Sequence, residues 1–473
     1  MWYDKLFTER WVSNATRFSL ILYVGVILCA ILQVPEQAYI DPTHTVYRRD
    51  AVSLSRKDDV KTVQQVDPAQ GRSIRNTAAE FFEEFLTRPG PDVALKALAK
   101  RIGMRPYVYP LHSSLSKDLI ASVKYKMKGE IEADRDSANE MATRGRDPDT
   151  YDCKSSAYSL EYSFPRILRR KKLATAPRPN AYIVPFLSWC EMLRLDIHRD
   201  RRIRKVQKYH DVVLQDIRQR NFFDMNSGTD HIFLATPEYG SLLYGSKNSE
   251  LMKNAVFMVH NAERSSHWYR NHRLCVVAPD IATTGIRPLY NYTVEEQSAI
   301  QSNRTTLAYF WGDIPNDDIR DRDGLTYSKG VRQYIKASFS QHPDFKISNF
   351  TSETVSGDML SSVFCVAPEG FHAWSAVPYY AMILGCIPVV ISDELVLPYE
   401  WAVDYSKFIV RISPGKIRHI HEILKQYSTK DVQKMQHELL RNWRLFWHGV
   451  GGLGHQASLV ALGVQMNLID VKR

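Results

Sequence analysis

At 473 residues, with 44% hydrophobic and 24% charged, the chain is too long for one ordinary domain and too apolar to be disordered. A net charge of +10 points to an acidic partner or substrate. Nucleic acid is the default partner for such a charge, but the N-terminal segment argues against it.

That segment, Phe18–Val34 (FSLILYVGVILCAILQV), runs 17 residues without a charge, the lower limit for a membrane-spanning helix. A secretory signal is the rival. No small-x-small cleavage site precedes Pro35, so an uncleaved anchor over 18–34 is expected. Lys5, Arg10 and Arg17 precede the span, and Glu36 and Asp41 follow it. Positive-inside then leaves residues 1–17 as a cytosolic tail and the body in a lumen. Residues 35–100 are polar, with a helical patch at Ala78–Leu86 and a Pro-Gly-Pro break at 89–91. They read as a stem.

Strands are expected at Arg105–Leu111 (RPYVYPL), Ala181–Leu187 (AYIVPFL), Phe233–Ala235, Val256–His260 and Leu274–Pro279. Asp230 and His231 fall at the start of the third, and Glu238 at its carboxyl end. Arg194–Lys208 is densely basic; it reads as a solvated helix face or as a cradle for an anionic glycan. Thr305–Gly312 (TTLAYFWG) is a further strand, and YSKGVRQYI at 327–335 starts a helix.

In Ser361–Trp401, SVFCVAP suits a buried strand ending at Pro368, and EGFHAW reads as a loop. Ala376–Leu384 is expected as a helix with Ser375 as N-cap and Gly385 as its stop. IPVVIS is a second strand, with Asp393 just past its end. Strand, loop, helix and strand in about 30 residues make a βαβ unit, hence a parallel sheet. Such a sheet binds ligands outside the carboxyl ends of its strands. Lys416–His448 reads as two amphipathic helices, the second capped by Ser428.

The six cysteines form no C-x-x-C pair, so a zinc site on them is not expected. Five lie beyond the apolar span, so at least one stays free or pairs between chains. Cys365 and Cys386, on core elements, read as buried thiols. Asn291, Asn303 and Asn349 head sequons open to glycosylation in a lumenal body. Gly449–Gly454 satisfies G-x-G-x-x-G but follows a helix, with no room for a βαβ unit. Asp134-Arg-Asp136, Asp147-Pro-Asp149 and Asp321-Arg-Asp323 match D-x-D, but none sits at a strand end where a metal–diphosphate pair belongs. No metal cofactor is expected.

The runs FCVAPEG, GCIPVVISDELVLPYE and DYSKFIV resemble the exostosin family, inverting glycosyltransferases of family 47. Tyr-Val-Tyr near the start, Ser227-Gly228-Thr229-Asp230-His231 with Pro237-Glu238-Tyr239-Gly240, and YSKGVR extend the likeness upstream. The resemblance implies an α/β fold of GT-B type, two Rossmann-like lobes with parallel sheets facing a cleft. Residues 101–295 would be the acceptor-side lobe, 296–415 the nucleotide-sugar lobe and 416–473 C-terminal helices. It also implies a single-pass type II Golgi protein that transfers sugar from a UDP-sugar to a glycan or glycoprotein acceptor. A homo- or heterodimer stays open.

On that resemblance, Gly312, Arg332, Pro368, Glu369, Gly370, Ser375, Tyr380 and Asp393 would line the donor site. Glu238, Asp230 and His231 are the candidate bases. Glu369 stands where the family usually has Arg, Val377 where it has another Arg, and Tyr380 where it has Glu. A carboxylate at 369 would repel a diphosphate. A member that kept the fold as a lumenal binding or scaffold protein is therefore the alternative.

Overall fold

The computed structural model describes residues 77–87, 94–123, 153, 154, 156–195, 199–237, 239, 243–264, 272–314, 326–349, 354–370 and 372–471. All belong to one unit, Arg72–Arg473. The apolar segment Phe18–Val34, Glu238 and the three D-x-D pairs lie outside the described residues. Among the described residues, no helix is long and apolar enough to cross a membrane.

The fold is α/β, built on two parallel five-stranded sheets, consistent with GT-B. The first contains β1 (Pro106–Val108), β2 (Ala181–Val184), β3 (His231–Ala235), β4 (Val256–Val259) and β5 (Arg273–Val276), in sequential order. The second contains β6 (Thr306–Trp311), β7 (Phe345–Ser348), β8 (Ser362–Pro368), β9 (Ile387–Ile391) and β10 (Val410–Ile412). Its order is β10-β9-β8-β6-β7, so the winding reverses between β6 and β8. Every residue of β2, β3, β4 and β9 is buried, which is why these segments are unbroken apolar runs rather than alternating ones.

The β8–β9 crossover is helix Val377–Ile383, buried on all sides and therefore apolar around its whole circumference. It starts later than its sequence suggests. Ala376 is the N-cap, and Ser375 Oγ accepts the Val377 amide at 3.3 Å. The C-terminal pair appears as helix Ile420–Lys425 and helix Thr429–Asn442, the latter closed by a Ser428–Asp431 capping box.

Two expectations change. Cys365 and Cys386 are bonded to each other rather than being free thiols. Parallel register sets Phe364 opposite Ile387, which brings the residues on either side of that pair together. A second disulfide joins Cys153 to Cys190, and Cys275 is a buried free thiol. Within the segment read as a stem, helices Ala78–Thr87 and Leu95–Ile102 are packed into the core. Phe81, Phe82 and Phe85 are buried, and Phe82 meets Tyr399 and Trp401 at 5.3 and 5.0 Å. Helix Gly454–Gln465 follows the glycine-rich turn and covers this layer, with Gly463 directly against Ile102.

Candidate functional site

The strand order reverses between β6 and β8, and it is outside the carboxyl ends of the strands at such a reversal that open α/β sheets have their ligand crevice. Gly312 and Asp313 follow β6, and Glu369 and Gly370 follow β8. Helix Val331–Phe339 begins beside them. Its Arg332 spans the reversal. Nη1 donates to the Asp313 carbonyl at 2.9 Å, Nε to the Glu369 carbonyl at 3.0 Å, and Nη2 reaches the Pro368 carbonyl at 3.5 Å. The guanidinium also lies over Tyr327, 5.2 Å from the ring centre.

Both glycines leave room for this close approach. A Cβ on Gly312 would sit 3.1 Å from Arg332 Nη1, and one on Gly370 would sit 3.2 Å from Tyr327 Oη.

Glu369 is buried, and its carboxylate is not left bare. Oε1 accepts the Ser392 hydroxyl at 2.6 Å, and Oε2 lies 2.9 Å from Lys329 Nζ. Burial pulls the Lys329 amine down, but the bond to Glu369 and the charges of Glu369, Glu394 and Glu263 outweigh it and raise its pKa. The ammonium is thus held charged. Its backbone is unusual as well: Ser328 and Lys329 have φ of 59° and 53°, ahead of Gly330 at 76°. Left-handed conformation costs a non-glycine residue about 1–2 kcal/mol, and such strain gathers at functional sites.

The first sheet meets this edge through the segment after β4. Glu263 Oε1 accepts the Ala373 amide at 3.0 Å and lies 3.7 Å from His372 Nδ1. The Arg264 amide bonds the Glu394 carbonyl at 2.9 Å, and the Arg264 side chain pairs with Glu400 at 2.7 Å. Tyr158 packs, tilted, against both Trp189 and Trp374, at 4.6 and 5.2 Å. Tyr239, past the end of β3, meets His372 at 6.0 Å.

Other residues singled out from the sequence take other positions. Ser375 accepts the first amide of the crossover helix but is not its N-cap. Tyr380 packs edge-on against Trp311, the last residue of β6, at 5.4 Å. Asp393 accepts the Ser413 hydroxyl at 2.8 Å, tying the ends of β9 and β10 one strand away from the crevice.

Asp230 and His231 lie at the amino end of β3, the opposite edge of the sheet. His231 is fully buried, with Nδ1 2.8 Å from Asp230 Oδ1 and Nε2 2.7 Å from Tyr109 Oη. Burial would raise the Asp230 carboxyl, but bonds from His231 and Asn226 outweigh it and hold it below its ordinary range. This pair braces β1 and β2 against β3.

A match to the exostosin GT47 domain covers residues 101–427. The chain belongs to the exostosin family. Relatives include a probable glucuronosyltransferase of Oryza sativa subsp. japonica, 24% identical over 299 residues, covering 61% of this chain and 66% of that protein. Another is probable glucuronosyltransferase 47 A of Physcomitrium patens, 26% identical over 224 residues, 47% of this chain and 49% of the relative. A probable beta-1,4-xylosyltransferase of Arabidopsis thaliana is 24% identical over 227 residues, 47% and 52% of the two chains. The chain thus spans between about half and two thirds of the length of these relatives.

Against the exostosin pattern, Lys329 matters most among the residues that sequence reasoning passed over. It stood in the quoted YSKGVR run, and only the left-handed turn shows that its amine reaches Glu369. Glu263 carried no sequence signal at all: it lies a few residues past a strand end and acts across to the other sheet.

Proposed function

We propose that the protein is a glycosyltransferase that moves a sugar, with inversion, from a UDP-sugar to a glycan or glycoprotein acceptor. The observation that carries this is the Lys329–Glu369–Arg332 cradle at the strand-order reversal of the second sheet. A charged amine and the start of helix Val331–Phe339 meet there, and a departing diphosphate needs such positive potential. Inverting transfer also needs a base for the acceptor hydroxyl. Glu238, which follows β3 in the sequence, is the residue proposed for it; Glu263, after β4 of the first sheet, and His372, after β8 of the second, meet nearby.

The two sheets would then form the acceptor-side and donor-side lobes, 101–295 and 296–415. The relatives' names put UDP-glucuronic acid and UDP-xylose first among donors. The chemistry proposed uses no metal. The charges flanking Phe18–Val34 support a type II Golgi membrane protein with its body in the lumen. Two disulfides suit an oxidising compartment. Asn291, Asn303 and Asn349 are exposed, as glycan acceptors must be.

One observation favours a second reading, a lumenal binding protein without transfer activity. The Arg332 guanidinium is committed to backbone carbonyls, and three carboxylates surround the single amine of Lys329. Calorimetric titration of the full-length chain with UDP, followed by a donor screen, separates the two. UDP binding with turnover supports transfer, whereas no UDP binding and no turnover with any donor removes it.

A further inference from the structure

The turn between helix Val331–Phe339 and β7 carries His342 and Asp344, and helix Ile420–Lys425 carries His421. One donor atom from each of the three lies within 4.8 Å of the other two. His421 Nε2 is 2.8 Å from Asp344 Oδ2, and the two imidazole rings meet edge to face at 4.5 Å. His342 Nδ1 accepts the Asp344 amide at 3.2 Å. That lone pair is the one His342 would turn to a metal, which leaves its Nε2–H as the outer-shell donor. All three residues are half-buried, so the ring faces are packed while an approach from solvent stays open.

We propose that His342, Asp344 and His421 form a zinc site at the amino end of β7, on the edge of the second sheet opposite the Lys329–Glu369 crevice. Two imidazoles and one carboxylate suit Zn²⁺ and serve the oxygen-seeking Mg²⁺ and Ca²⁺ poorly. Bonds of about 2.0–2.2 Å put tetrahedral ligand atoms roughly 3.3 Å apart, so shifts of up to about 1.5 Å close the present spacing, which is within 4.8 Å.

One group competes. Lys425 Nζ lies 3.0 Å from Asp344 Oδ2, an ammonium standing where a metal cation would draw on the same oxygen. Its side chain is 54% exposed and can swing into solvent when the metal arrives. The site joins two chain segments 77 residues apart, fastening edge strand β7 to the C-terminal helices. Its position gives it a bracing role and no part in sugar transfer.

The test is calorimetric titration of the full-length chain, in mild detergent, with zinc chloride, together with melting curves. Wild type is expected to take up one zinc at micromolar concentrations and to melt higher with it. His421→Ala and Asp344→Asn should weaken that binding roughly tenfold or more. Lys425→Ala, which removes the competing ammonium, should tighten it. Absence of one-to-one binding, or equal binding by wild type and His421→Ala, overturns the proposal. Should His421→Ala fail to fold, Lys425→Ala decides: tighter binding supports the site, and unchanged or weaker binding overturns it.

Discussion

Lys329 Nζ lies 2.9 Å from Glu369 Oε2, so the carboxylate that would repel a diphosphate arrives with its own cation. The Glu369 side chain is 7% exposed and that of Lys329 34%, which leaves the ammonium open on one side. A charged hydrogen bond is worth about 1.5–3 kcal/mol. Lys329→Ala should therefore weaken UDP binding by roughly ten- to a hundredfold, and Lys329→Arg should recover part of it. Titration with UDP reads this directly. Equal affinities for wild type and Lys329→Ala would move the diphosphate elsewhere.

Arg332 predicts a different pattern. Its guanidinium holds the carbonyls of Asp313, Pro368 and Glu369 together across the strand reversal. Arg332→Ala removes those bonds and leaves buried acceptors behind, at about 1–3 kcal/mol each where water does not replace them. The variant should melt several degrees lower and also bind UDP poorly, whereas Lys329→Ala should melt close to wild type. An Arg332→Ala protein as stable as wild type contradicts the bracing role.

Three strands of the second sheet, β6, β8 and β9, were legible in the sequence almost residue for residue, whereas β7 and β10 were not read as strands. The three are apolar runs ended by Gly312, Pro368 and Ser392, and parallel pairing inside a covered sheet demands such runs. Register was not legible. The Cys365–Cys386 bond depends on how β8 slides against β9, which periodicity does not encode. The start of β3 at Asp230 and His231 was legible, but their closed contact with Tyr109, 122 positions from His231, was not. A motif gives neighbours along the chain, whereas a cleft is made by residues such as Glu263 and Ala373, 110 positions apart.

That disulfide gives a stability prediction. It closes a 21-residue separation, and removing such a bond typically costs about 2–4 kcal/mol. The Cys365→Ser/Cys386→Ser variant should melt markedly lower. Peptide mapping of denatured, unreduced wild type should find Cys275 alkylated and Cys365 joined to Cys386. Alkylated Cys365 in that map refutes the pairing.

Four buried histidines set the acid response. Burial holds His210, His448 and His455 at about 3 and His260 at about 4, with the bonds from His210 and His260 to carbonyls opposing it. Their depressed values mean stability that is complete above the unfolded value of about 6.5 and lost as pH falls. Glu161 and Asp280, raised chiefly by burial, work the other way while the unfolded carboxyls remain ionised. Four groups against two leave a net loss of stability as pH falls below about 6. Urea midpoints at pH 7, 6 and 5 should fall in that order. A flat series means that these histidines are protonated in the folded chain.

The last prediction separates bracing carboxylates from the base. Asp230 lies at the amino end of β3 in a closed network with His231, Asn226 and Tyr109, so it cannot reach an acceptor held at the carboxyl edges. Asp230→Asn exchanges a charged acceptor for a neutral one opposite His231. It should lower the melting temperature while leaving turnover per folded molecule within a few-fold of wild type. Glu238 follows β3 at the other end. Glu238→Gln keeps its shape but cannot take a proton, so UDP affinity should hold while turnover falls by about a hundredfold or more. The pair is read by UDP titration, melting curves and transfer rates measured on the same preparations. If Asp230→Asn loses turnover without losing stability, and Glu238→Gln keeps it, the base belongs to the amino edge and the assignment of the cleft reverses.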